Sequence, residues 1–339
     1  MRKNVPCFDP FDPSGPFRPT GLRQLRCALL VLVFAIAGCQ TAPRVQGGET
    51  PGGSGQMTAG KPAAPERAGA PQLQPPKLAA KPLRLGLALG GGAARGFAHI
   101  GVIQVLEEAG IRPDLVVGTS AGSLVAALYA SGKTGSELAS VALTLDEGVL
   151  TDWSFPGRGL IRGEALARFV REQTGGQTIE QMKIPLGIVA TDLDSGAGVL
   201  FQRGDTGAAV RASSSVPAVF QPVKIGSREY VDGGLVAPVP VRFARQMGAT
   251  LVIAVDISSP PDGNITSDML KLLLQTFAIM SKSISQFELR EADIVLSPPL
   301  VGVSSADFSS RLRAIRAGRE TAAALLPQIK ALLAAARGQ

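Results

Sequence analysis

Three short stretches of this 339-residue chain carry residue types able to do acyl-transfer chemistry. Gly90-Gly91-Gly92-Ala93-Ala94-Arg95-Gly96 is a glycine loop, whose backbone can come close to a reacting group and present N–H donors to a tetrahedral intermediate. Gly118-Thr119-Ser120-Ala121-Gly122 places a serine at the centre of a G-x-S-x-G turn, with small residues two positions to either side. Asp232-Gly233-Gly234 offers a carboxylate followed by two residues suited to a turn. The chain contains one histidine, His99, so a serine-histidine-acid triad has one possible base or none.

Each element must be positioned by what surrounds it. Residues 83–89 are a short apolar run ended by three glycines, and 96–109 shows apolar positions at helical spacing. Residues 115–117 lead into the serine turn, and 123–130 again reads as helix. Two successive strand-to-helix crossovers imply a parallel sheet covered by helices. Further inner strands fit 184–191, 251–256 and 294–296, and long helices fit 162–174, 267–291 and 310–333.

In this frame Ser120 stands on a strained elbow at the end of a strand, at the amino end of a helix whose dipole favours negative charge. His99 lies inside the predicted helix between Ala98 and Ile100, where a histidine serves as a packing residue. Asp232, just after the strand-like residues 228–231, is the better proton acceptor. A carboxylate working as a base near neutral pH calls for a dry, apolar pocket that raises its pKa. The glycine loop fails as a dinucleotide fingerprint, because with Gly90 and Gly92 as its first two glycines the third falls on Arg95. Taken singly, the serine turn also reads as a loop with a helix cap, and Asp-Gly-Gly as a plain turn.

In combination and order, the three stretches resemble the patatin-like phospholipase family, whose pattern is GGGxxRG, then GxSxG, then DGG/A. Ala190-Thr191-Asp192-Leu193, residues 212–217 and Pro238-Val239-Pro240 extend the likeness. The resemblance implies an α/β fold with a mostly parallel central sheet flanked by helices in three layers. It implies a Ser120–Asp232 dyad without histidine or metal, an oxyanion hole from Gly90, Gly91 and Gly92, and a supporting role for Arg95. The expected reaction is hydrolysis of fatty-acyl esters of lipids, of the phospholipase A or lysophospholipase kind. The alternatives are a thioesterase or protein deacylase using the same dyad, or a lipid-binding lipoprotein without activity.

The remaining features concern location. Cys7, Cys27 and Cys39 all fall within the first 39 positions, so the rest of the chain has no thiol for a disulfide. Arg23-Gln24-Leu25-Arg26, an apolar run over 27–37 and small residues before Cys39 read as an export signal over 1–38. The ending on Cys39 resembles a bacterial lipobox, with that cysteine lipidated. Residues 39–82, rich in Gly, Pro, Ala and Gln, read as a flexible tether, leaving 83–337 as the acyl hydrolase domain. The expected place is the bacterial cell envelope on a lipid anchor, and Gln40 after the cysteine resembles outer-membrane sorting rather than inner. A net charge of +7 with scarce aromatics and no recognition motif argues against nucleic acid. The arginines at 311, 313, 316 and 319 suit either an anionic membrane surface or the wet face of a helix, the second being the simpler reading. One histidine and no spaced acidic loop imply neither a metal nor a cofactor. Residues 144–162, with Trp153 and Phe155, read as a surface loop or as a mobile cover over the cleft, the loop being the simpler reading.

Overall fold

The computed structural model describes residues 82–146, 152, 158–258, 268–303 and 308–338. The expected signal segment, Cys39, the tether as far as 81, and Trp153 and Phe155 lie outside the described residues. The chain runs β1 (Leu85–Leu89), α1 (Phe97–Glu108), β2 (Leu115–Thr119), α2 (Ala121–Ala130), α3 (Gly135–Thr144), β3 (Gly159–Ile161), α4 (Glu164–Gln173), β4 (Leu186–Asp192) and β5 (Gly198–Phe201). It continues through α5 (Thr206–Ser213), β6 (Ala218–Phe220), β7 (Val223–Ile225), β8 (Arg228–Asp232), α6 (Val241–Gln246), β9 (Leu251–Val255), α7 (Met269–Glu288), β10 (Ile294–Leu296) and α8 (Arg311–Arg337).

The core of the sheet is parallel, in the order β10-β9-β1-β2-β4. Side chains of a strand alternate between faces. Leu85, Leu87 and Leu89 of β1 join one core, with Ile103 and Leu106 of α1, Leu128 of α2 and Ile329 of α8. Ala88 joins a second core with Val241, Phe243 and Ala244 of α6. Both faces are covered, so these strands read as unbroken apolar runs, and the result is the expected three-layer α/β/α arrangement.

The sequence reading missed an antiparallel wing. β5 and β8 pair antiparallel with β4, and β7 pairs antiparallel with β8. These strands are three to five residues long, and β5 is only partly buried throughout, too little for a period to declare itself. Their register decides where the chemistry sits. Val189 pairs with Thr119 of β2 and with Leu200 of β5, so β2 and β5 lie on opposite edges of β4. Ala190 pairs with Val199 of β5 and with Asp232 of β8, so β8 takes up the edge that β2 leaves. The carboxyl ends of β2 and β8 therefore meet head to head on consecutive rungs of β4.

The arginines of α8 have more specific work than wetting a surface. Arg311 donates to the carbonyls of Ala142 and Leu145, at 2.7 and 2.9 Å, and Arg319 pairs with Glu108 at 2.8 Å. These contacts tie α8 to the end of α3 and to α1.

Candidate active site

Ser120 follows the last residue of β2 and precedes α2, with φ +52° and ψ −124°. A non-glycine residue held at such angles carries strain on the order of 1–3 kcal/mol, and the surroundings must hold it there. Glycine on either side makes the turn possible. A Cβ on Gly118 would lie 2.4 Å from the Gly122 carbonyl oxygen, and one on Gly122 would lie 2.2 Å from that of Leu89. Two serines complete the clamp: the Ser120 N–H donates to Ser213 Oγ at 2.8 Å, and Ser213 Oγ donates to the Val189 carbonyl at 2.5 Å. Ser123 Oγ donates to the Ser120 carbonyl at 2.6 Å.

Asp232 ends β8 and is held as firmly. Its N–H donates to the Ser215 carbonyl at 2.9 Å, and its carbonyl accepts from Thr191 Oγ1 at 2.8 Å. The chain then turns over β4 so closely that a Cβ on Gly233 would sit 2.2 Å from the Val189 carbonyl oxygen. Gly234 N–H returns to donate to Asp232 Oδ1 at 2.7 Å. That leaves Oδ2, which accepts from Ser120 Oγ at 2.7 Å.

The two predicted residues, 112 positions apart, are thus joined by a direct hydrogen bond, with both side chains buried. Burial pushes the Asp232 carboxyl up from its ordinary 3.8 to about 6, against the opposing hydrogen bonds from Ser120 and Gly234. It is a carboxylate at neutral pH and a stronger proton acceptor than an exposed aspartate.

His99 plays no part in this exchange. Fully buried in α1, it donates through Nε2 to the Gly90 carbonyl at 2.8 Å, and burial lowers its pKa to about 4. It is a neutral brace for the glycine loop. Nδ1 has no hydrogen-bond partner among the described residues.

The glycine loop needs a correction. Gly90 N–H donates to the Val255 carbonyl at 3.0 Å and Gly91 N–H to the Pro238 carbonyl at 2.9 Å, so two of the three expected oxyanion donors are already engaged. Their role is shape: a Cβ on Gly91 would come 3.2 Å from Ser120 Cβ, crowding the nucleophile. Gly92 N–H meets no acceptor among the described residues, and of the first N–H groups of α2 those of Ala121 and Gly122 meet none there either, whereas Ser123 N–H donates to the Ser120 carbonyl at 2.8 Å. Arg95 follows in a short 3₁₀ turn, Ala93–Gly96, its N–H donating to the Gly92 carbonyl at 3.2 Å. Gly96 packs that turn on Ala121.

Residues that the sequence marked only by resemblance prove to be positioning residues. Buried Asp192 pairs with Arg228 at 2.6 Å, and its other oxygen accepts from the N–H groups of Asp194 and Ser195. The Arg228 guanidinium, helped by the Ser195 amide, holds its carboxyl down at about 2. This pair pins the far end of β8 to β4 and so fixes the rung on which Asp232 arrives.

Ser213 carries a testable role. Ser213→Ala is expected to lower kcat on a soluble ester about ten-fold with little change in KM, and to cost about 1–3 kcal/mol of stability for the orphaned amide. The acid limb of the pH profile should stay in place, because Asp232 is untouched. Stability lost with kcat unchanged would make Ser213 purely structural.

A family model described as patatin-like phospholipase matches residues 87–245, a span that includes Ser120 and Asp232. An uncharacterised NTE family protein of Mycobacterium tuberculosis is 38% identical over 203 residues, 57% of this chain and 56% of that protein. The chain spans about half the length of the mycobacterial relatives it matches. Patatin-like phospholipase domain-containing protein 6 of Mus musculus is 36% identical over 193 residues, 54% of this chain and 14% of that one. Among solved structures, VipD from Legionella pneumophila shares the fold with a TM-score of 0.52 at 16% identity, over 74% of this chain and 68% of that one.

Proposed function

Over residues 87–245 the chain is a member of the patatin-like phospholipase family, which implies lipid hydrolase activity, and from that premise we propose a serine acyl hydrolase working through Ser120 and Asp232. The observation that carries this reading is the 2.7 Å hydrogen bond from Ser120 Oγ to Asp232 Oδ2, made at a strained elbow by a carboxyl whose pKa burial has raised.

Asp232 takes the proton of Ser120 as Oγ attacks the ester carbonyl. The oxyanion that forms is held by Gly92 N–H and the amino end of α2, each well-placed donor being worth about 3–4 kcal/mol. Asp232 then gives its proton to the leaving alcohol, and the acyl group stays on Ser120. Water, losing a proton to the same carboxylate, attacks the acyl-serine, and Asp232 returns that proton to Ser120 Oγ as the fatty acid leaves. Every step uses groups of this chain, with no metal ion and no histidine in the path.

The substrate class is fatty-acyl esters of phospholipids or lysophospholipids. Incubating the protein with mixed phospholipids and analysing the products should show free fatty acid and the matching lyso-lipid or glycerol phosphodiester. Turnover of an acyl thioester in preference to every ester offered would move the reading to a thioesterase. No release from any acyl substrate would refute it.

A further inference from the structure

Helix α7 is unusual in what it leaves outside. Met269, Leu272, Leu273, Ile279, Met280 and Phe287 are between 43% and 77% exposed. At 3.6 residues per turn they fall within one arc about 120° wide and about 27 Å long. Along one side of that arc lie Lys271, Gln275, Lys282 and Gln286, and between Met269 and Phe287 there is no acidic residue. The opposite side faces the protein. There Ser281 Oγ donates to the Gly234 carbonyl at 3.2 Å, and Glu288 pairs with Arg242 at 2.6 Å. The helix is therefore bonded directly to the loop that follows Asp232.

The arc is interrupted only by the small exposed side chains of Thr276 and Ser283, and an apolar stripe of this length on a folded domain marks something that covers it. The stripe holds long aliphatic, methionine and phenylalanine side chains without a tyrosine, tryptophan or arginine anchor of the kind that centres protein interfaces. Its charged flank is purely cationic, which complements a plane of anionic headgroups. Among the described residues no helix is long and apolar enough to cross a membrane; a helix with one apolar face and a cationic flank suits the plane of the interface.

We propose that α7 is a bilayer-docking helix: its stripe enters the outer layer of an anionic lipid membrane and seats the Asp232 loop on the phase that supplies the substrate. This rests on the acyl-hydrolase reading for its purpose, though not for its contact.

The test uses the full chain in a Trp153→Phe background, so that one tryptophan reports at a time. Met280→Trp places the reporter on the stripe, and Glu320→Trp places it on α8, in the opposite helix layer. Vesicles of phosphatidylcholine and phosphatidylglycerol carrying brominated acyl chains should quench Met280→Trp strongly and Glu320→Trp hardly at all. Any anchor near the amino terminus holds both variants equally, so only the docking face separates them. The double change Leu272→Glu with Leu273→Glu should lower the ratio of vesicle hydrolysis to soluble-ester hydrolysis about ten-fold. Equal quenching at the two positions would overturn the proposal. So would Met280→Trp emission that shifts with protein concentration in the absence of lipid, since a second copy of the chain would then be the occupant. Selective quenching in a protein that hydrolyses no ester would uphold the docking face and remove the hydrolase reading instead.

Discussion

Replacing Ser120 by alanine is expected to lower turnover of an acyl ester by about 10⁴-fold or more, because without Oγ no acyl-enzyme can form and only adventitious water attack remains. A fluorophosphonate probe should label the wild-type protein at Ser120 and leave the variant unlabelled. The strained elbow adds a signature that a merely exposed serine would lack. Ser120→Gly should be as inactive as Ser120→Ala yet about 1 kcal/mol more stable, because glycine adopts φ +52° freely whereas alanine does not. Retention of more than about a tenth of wild-type turnover in either variant would show that the nucleophile lies elsewhere.

Asp232→Asn is expected to remove about 10²–10⁴-fold of activity, the usual worth of a positioned general base. Wild-type kcat/KM should rise with pH along an acid limb centred near 6, as the carboxyl gives up the proton that blocks it. In the variant that limb should vanish. Stability should move the other way. The folded-state pKa is raised above the unfolded value near 3.8, so ionisation in the buried site costs the folded protein nothing below pH 4 and its full amount above pH 6. Asparagine keeps the shape and can still accept from Gly234 N–H. The variant should therefore match wild-type stability at pH 4 and exceed it at pH 8 by about 2–3 kcal/mol, measured by denaturant unfolding at the two pH values. A variant equally destabilised at both would mean that Asp232 holds the loop together without being poised as a base.

The parallel core was legible because its strands are buried on both faces and its helices are long enough to show a period. The elbow was legible for a local reason: Gly118 and Gly122 answer steric demands set within a few residues of Ser120 or by the adjoining end of β1. The pairing with Asp232 was legible from the order of the three motifs and their family resemblance, but its geometry was not. It depends on β8 arriving antiparallel at the edge of β4, and nothing in five residues of mixed burial announces a direction or a rung. The glycine loop misled for a related reason. Its amides were free to be donors until the Val255 and Pro238 carbonyls, from far along the chain, took two of them. Ser213 was marked only as part of the 212–217 likeness and its role was not legible, because that role lies in bridging Ser120 N–H and the Val189 carbonyl across α5 and β4.

The abutment of β2 and β8 on a single edge of β4 has a protective consequence. Nucleophile and proton acceptor belong to segments that share no local contact, so neither the nascent chain nor a molecule with its antiparallel flap detached holds a working pair. Under the acyl-hydrolase reading, the reactive pair comes into being only when β8 takes its place on the edge of β4.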